Sequence, residues 1–246
     1  MKVRAKVAYD GTEFFGFQRQ ANARTVQGEI ETALEKVTGR QTGVNGAGRT
    51  DAGVHATGQV IAFEVDWRHG MDALTKALNI TLPEDVALRD LAECSADFHP
   101  RFDAKSRTYE YTVSVNRVKQ PLLRRTAWQL ERQPDLVKMN SAAAQVIGAH
   151  DFAAFGSAPS GREEETTVRN VQKAAWHDHG SGLLVFTIEA NAFLFRMVRR
   201  LVLALMRVGQ GQLSADKFVE ILESRDAQRI KGLAPACGLC LVDVKY

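Results

Sequence analysis

Val3, Ala5, Val7 and Tyr9 alternate with polar residues, and the alternation stops at Asp10-Gly11. This is the pattern of a half-buried strand running into a turn. After Thr25 the period lengthens: Val26, Ile30, Leu34 and Val37 recur at helical spacing, and Gly39 supplies a stop. Apolar stretches predict a strand over residues 60–65, a short helix over 73–78 and a strand over 86–91. The clearest period of two lies in "RTYEYTVSV". There Tyr109, Tyr111, Val113 and Val115 share one face, and Thr108, Glu110, Thr112 and Ser114 the other. Further on, the pattern predicts helices over 136–147, 193–208 and 215–222, and strands over 168–176, 183–190 and 239–244. The stretch "GSAPSGREEETT" (156–167) reads as a mobile loop.

Each half of the chain opens with a strand followed by a helix and then mixes the two. The expected fold class is therefore α+β, with two such units, residues 1–104 and 105–246, and a boundary near 100–106. No residue-level repeat accompanies the division.

Composition narrows the class. The chain has 246 residues, 45% hydrophobic and 25% charged, the profile of a globular protein with material for a sizeable core. The longest purely aliphatic or methionine run near the C-terminus, 201–206, ends at Arg207 and is too short to span a membrane. No apolar signal core follows the basic start, so a cytoplasmic location is expected. A net charge of +3 identifies no partner by itself. Between residues 101 and 125, however, seven basic residues (Arg101, Lys105, Arg107, Arg117, Lys119, Arg124, Arg125) face two acidic ones, a local footprint suited to a polyanion as well as to plain solvation. Cys237 and Cys240 form a C-x-x-C with no second pair, which makes them small hydrophobes of a C-terminal strand rather than zinc ligands. His177 and His179 have no further ligands at a metal spacing, and no metal is assigned.

One stretch invites chemistry: "GAGRTDAGVH", residues 46–55. It fails the dinucleotide fingerprint, because Asp51 stands where the third glycine belongs, and it lacks the Gly-Lys-Ser/Thr of a phosphate loop. Asp51 could simply close a turn. With Arg49 two residues away, it could equally be an oriented carboxylate serving as nucleophile or base, or half of a structural ion pair. His55 adjoins the stretch without a cysteine or serine partner. Tyr109 and Tyr111 could be core residues, or Tyr109 could stack on a nucleobase beside Arg107. The predicted helix over 193–208 has a broad apolar face, with Arg196, Arg199, Arg200 and Arg207 toward the other side.

Several segments, in order and over essentially the whole chain, resemble the tRNA pseudouridine synthase A family: "AYDGTEFFGFQRQ", "GAGRTDAGVHATGQV", "FHPRFDAKSRTYEYTV", "HDFAAF" and "APACGLCLVDVKY". The resemblance implies two similar α+β halves around a central antiparallel sheet with flanking helices, and an RNA-binding cleft between them. It also implies a homodimer, no metal or organic cofactor, and uridines 38 to 40 of the tRNA anticodon stem-loop as substrate. Carried over by position, Asp51 is similar to the family's catalytic aspartate and Arg49 to the arginine that pairs with it. Tyr109 is similar to the tyrosine packing on the target base, and Leu239 to an apolar residue of the base pocket. Arg101, Lys105, Arg107 and Arg199 become candidate phosphate contacts. The chain departs from the family's "FLYHMVRNIVG", having Arg196, Arg200 and Leu203 where that pattern has histidine, asparagine and glycine. Asp51 would attack C1′, remove a sugar proton, or attack C6 of the base. The rival classes are a non-catalytic tRNA-binding protein on the same scaffold and a small-molecule glycosidase using Asp10 or Glu13 as a second carboxylate.

Overall fold

Val3, Ala5, Val7 and Tyr9 all turn inward and are buried, so the alternation read from the sequence is the inner face of strand β1 (Lys2–Tyr9). The computed structural model describes residues 1–157 and 166–246, and most of the loop expected over 156–167 lies outside the described residues. The chain divides into two compact units, Met1–Lys105 with Cys240–Tyr246, and Ser106–Leu239.

In the first unit β1 is followed by helix α1 (Val26–Thr38), strands β2 (Asn45–Gly46) and β3 (His55–Glu64), helix α2 (Met71–Thr81) and strand β4 (Val86–Glu93). Thr25 begins α1 as the sequence predicts: its hydroxyl accepts from the Gly28 N–H, satisfying one of the orphan donors of the first turn. Val26, Ile30 and Leu34 are fully buried. β1 runs antiparallel to both β3 and β4, with Val3 opposite Phe63 on one side and Glu93 on the other. β2 is a two-residue antiparallel partner of β3.

The second unit carries strands β5 (Ser106–Val115) and β6 (Trp128–Leu130), helix α3 (Leu136–Ala144), strands β7 (Gly148–Asp151), β8 (Val168–Asp178) and β9 (Leu183–Ala190), and helices α4 (Met197–Gly209) and α5 (Ala215–Ser224). Its strands follow the order β5-β9-β8-β7, with β6 on β5. Helices α3, α4 and α5 pack on one another, and α3 lies against β8. The chain ends in β10 (Leu239–Lys245), whose Cys240 and Leu241 pair with His55 and Ala56 of β3. Tyr246 ties this end down, its hydroxyl donating to the Pro100 carbonyl at 2.8 Å.

The structure confirms mixed α/β content built on multi-strand sheet and amends several expectations. Pairing is not wholly antiparallel, since β3 with β10 and β5 with β6 run parallel. The terminal strand, placed by its sequence position in 105–246, lies with the first unit from Cys240 onward because it hydrogen-bonds alongside β3. Helix α4 starts at Met197 rather than 193. Arg196 adopts a left-handed backbone (φ 62°), and Phe195 forms an isolated bridge with Ser157, which withdraws the first predicted turn from the helix. β6 and β7 have three and four residues and lack the alternation that announces longer strands. Cys237 belongs to a 3-10 turn (Ala236–Gly238) and not to the strand, and both Cys237 and Cys240 are half-buried.

Gly58, inside β3, shows how closely β10 approaches. A Cβ at that position would collide with the Val242 carbonyl. Gly58→Ala is therefore expected to destabilise the chain by roughly 1–3 kcal/mol through overpacking. Chemical denaturation followed by circular dichroism measures the shift, and an unchanged midpoint contradicts the close approach.

Candidate active site

Residues 47–54 connect β2 to β3, and their backbone is held from several directions. The neighbouring segment 14–17 does much of the holding. The Phe17 N–H donates to the Thr50 carbonyl (3.1 Å), and the Gly53 N–H donates to the Phe14 carbonyl (3.3 Å). Between these two bonds sits Gly16 with φ 95°. A Cβ there would lie 2.7 Å from the Thr50 carbonyl oxygen, so only glycine allows both the left-handed backbone and the contact. On the inner side the hydroxyls of Tyr9 and Thr50 are 2.8 Å apart and buried. Gln59, fully buried on β3, donates from Nε2 to the Gly48 carbonyl at 2.9 Å. A turn over 51–54 is closed by the Val54 N–H donating to the Asp51 carbonyl (3.1 Å). Asp51 thus stands half-buried on a stretch fastened immediately before and after it.

The segment doing the fastening is itself anchored. Asp10 caps a 3-10 turn (Gly11–Glu13), accepting from the Thr12 N–H at 3.0 Å and the Thr12 hydroxyl at 2.5 Å. This cap occupies the carboxylate considered as a second acid. Arg24 donates to both oxygens of Asp85 and to Glu29, and its guanidinium lies 4.2 Å from the centre of the Phe14 ring. Nδ1 of His55 accepts from the Gly11 N–H at 3.0 Å and lies 3.2 Å from an Asp10 carboxylate oxygen.

The remaining residues singled out by sequence fall into distinct settings. Arg49 is exposed, and among the described residues its guanidinium makes no hydrogen bond or ion pair, so the pairing with Asp51 expected from their spacing is not formed. Tyr109 is 8% exposed, with its ring edge-on to Phe193 at 5.1 Å. Tyr109 and Tyr111 are thus both buried, and Tyr111 completely so; it donates to the Pro235 carbonyl (2.8 Å), and burial pushes its phenol well above the ordinary range. Leu239 is buried at the start of β10, directly after Gly238, where a Cβ would press on the Tyr111 ring. Arg107 is also buried, donating to the Asn191 carbonyl (2.7 Å), which leaves little of it for a phosphate. Arg199 is half-buried and donates to the Ala234 carbonyl (2.9 Å), whereas Arg101 and Lys105 are exposed. Arg200 is half-buried, and burial followed by the nearby Arg196 charge lowers its pKa. Among the described residues no cluster of histidine, cysteine and carboxylate side chains could hold a metal ion.

Neither Tyr9 nor Gln59 was singled out from the sequence. A polar side chain within the apolar stretch "GQVIAF" was the available sign for Gln59, since such a residue needs an internal partner. Its Oε1 is buried with no partner among the described residues, a cost of about 1–3 kcal/mol retained together with the Gly48 bond.

Comparison with known proteins gives a consistent answer. A family model described as tRNA pseudouridine synthase matches residues 5–103 and 142–246. A protein of Thermotoga neapolitana called tRNA pseudouridine synthase A is 41% identical over 246 residues, covering 100% of this chain and 99% of that one. A Roseiflexus protein of the same name is 42% identical over 247 residues (98% and 89%). One from Streptococcus equi subsp. equi is 40% identical over 247 residues (100% and 98%). A solved structure titled "Crystal Structure of a Cbf5-Nop10-Gar1 Complex" has 10% identity and a TM-score of 0.33, covering 83% of this chain and 54% of that one, a likeness too distant to add weight.

If the Tyr9 and Gln59 bonds hold the loop, Tyr9→Phe leaves the buried Thr50 hydroxyl short of a partner and costs about 1–3 kcal/mol of stability. Gln59→Leu releases the Gly48 carbonyl, and amide hydrogen exchange across 47–51 should accelerate relative to the rest of β3. Unaltered exchange in that variant means that the loop is held without Gln59.

Proposed function

Because this chain belongs to the tRNA pseudouridine synthase family, we propose that it isomerises uridine to pseudouridine at nucleotides 38 to 40 of the tRNA anticodon stem-loop, with Asp51 as the catalytic carboxylate. The observation that carries this reading is the fastening of residues 46–54. A carboxylate gains catalytic value from being oriented before the substrate arrives, and Asp51 is flanked by anchored backbone at Thr50 and Gly53.

The reaction breaks the N1–C1′ bond, turns the uracil and joins C5 to C1′. C5 loses a proton and N1 gains one, so substrate and product are isomers and no oxidant or reductant is consumed. An electron-poor C1′ calls for a nearby carboxylate, as in glycosidases that use one as nucleophile. Asp51 performs this role by attacking C1′, by removing a sugar proton to give a glycal, or by attacking C6. The target nucleotide has to leave its stack, which is easier at a loop or stem end than within a duplex. The position-by-position resemblance assigns Tyr109 and Leu239 to the apolar surroundings of the uracil, and Arg49 to steering the carboxylate once RNA is bound. It assigns phosphate contacts to Arg101, Lys105, Arg107 and Arg199. Exposure supports Arg101 and Lys105 in that role more than the buried Arg107. The active form is a homodimer working in the cytoplasm without metal or organic cofactor.

Asp51→Ala should lower pseudouridine formation on unmodified tRNA by at least about 10³-fold, the scale of losing an essential reacting group, while tRNA affinity is retained. Product formed at an undiminished rate by that variant would falsify the catalytic role and favour a protein that binds tRNA without modifying it. Mapping pseudouridine in tRNA from cells lacking the protein tests the assignment to nucleotides 38 to 40.

A further inference from the structure

Two adjacent aromatics precede Gly16 and face opposite fates. Phe14 is 2% exposed and lies under the Arg24 guanidinium, whereas Phe15 is 64% exposed and its ring makes no aromatic contact among the described residues. Its backbone, however, is fixed. The Phe15 N–H donates to the Arg24 carbonyl (2.9 Å), and the Phe15 carbonyl accepts from Gln20 Nε2 (2.8 Å). The residues on either side, Phe14 and Gly16, meet the backbone of 50–53 through the Gly53 bond and the Gly16 contact. A rigidly based, outward-facing phenyl ring is thus carried by the segment that fastens the Asp51 loop. The exposed Arg49 guanidinium emerges from that same loop.

We propose that Phe15 is a stacking platform for an unpaired nucleobase of the RNA substrate, next to the nucleotide that reacts. The inference rests on the function proposed above and names a further contact of the same site. Drawing one nucleotide out of its stack strips a neighbour of its partner. An aromatic side chain restores that partner for any of the four bases, because every base has a π-face. The surroundings favour a base over a protein surface. Phe15 is flanked by the exposed polar residues Thr12, Glu13, Gln18, Arg19 and Gln20, so the apolar area is that of one ring. A stable protein interface needs a wider apolar centre. Phe102, also exposed, differs in lying 4.3 Å from the His99 ring.

The test titrates the full-length chain and its Phe15→Ala, Phe15→Leu and Phe15→Trp variants with unmodified tRNA transcript, measuring Kd, KM and sedimentation. Stacking predicts that Ala and Leu weaken binding by about 5- to 150-fold. Trp should retain affinity and add a fluorescence change on tRNA addition that the parent lacks, and thermal unfolding should be the same in all four chains. Parent-like Kd and KM in Phe15→Ala overturn the proposal. An altered sedimentation coefficient with unchanged tRNA affinity overturns it in favour of a contact between protein chains. If the parent makes no pseudouridine yet Phe15→Ala still loses tRNA affinity, the platform stands and the assigned reaction falls.

Discussion

The loop that carries Asp51 has to be held while the strands around it carry the fold, and here the holding is done by backbone hydrogen bonds between residues 14–17 and 50–53. The bonds from Phe17 to Thr50 and from Gly53 to Phe14 bracket Asp51, and Gly16 comes so near that a Cβ there would press on the Thr50 carbonyl. Much of the rest of the unit serves this bracket. Asp10 caps the turn that delivers Phe14, and Arg24 binds the far end of the segment to Asp85 and Glu29. Tyr9 at the end of β1 and Gln59 within β3 reach the loop from beneath.

Such fastening has costs that explain otherwise odd choices. Glycine is conformationally expensive to order, yet any side chain at Gly16 would strike the backbone it supports. Gln59 keeps an unsatisfied oxygen in a buried place so that its nitrogen can hold the Gly48 carbonyl. Reversing the amide would bring two oxygens together, so the orientation with one silent acceptor is the better of the two. These are local losses accepted where geometry matters more than stability.

Recognition of RNA asks for different physics. Phosphate contacts weaken as salt rises, because neutralising phosphates releases counterions. Stacking depends on area and π-contact and is largely insensitive to base identity. Exposed cations such as Arg49, Arg101 and Lys105 suit the first, and an exposed ring such as Phe15 suits the second. Arg107 and Arg199, which sequence alone could group with these cations, are partly or wholly withdrawn from solvent by carbonyl partners. Arg196, the left-handed N-cap residue of α4, and Arg200, in the first turn of that helix, stand four residues apart in the sequence.

By itself the sequence determined the longer elements, because a buried face imposes its period over many residues: two for β1 and β5, nearly four for α1 and the body of α4. It also singled out the Asp51 loop, since a run of small residues around one carboxylate is a local property. Tertiary structure decided what depends on partners remote along the chain. β10 became the parallel neighbour of β3 although nearly two hundred residues separate them, and α4 lost its first turn to a bridge between Phe195 and Ser157. Arg49 is exposed and both tyrosines of the pair are buried, because side-chain direction and burial are set only when the backbone has closed on itself. Tyr9 and Gln59 took on the support of the loop for the same reason: a hydrogen bond across 41 or 11 residues exists only once the sheet has brought its two ends together.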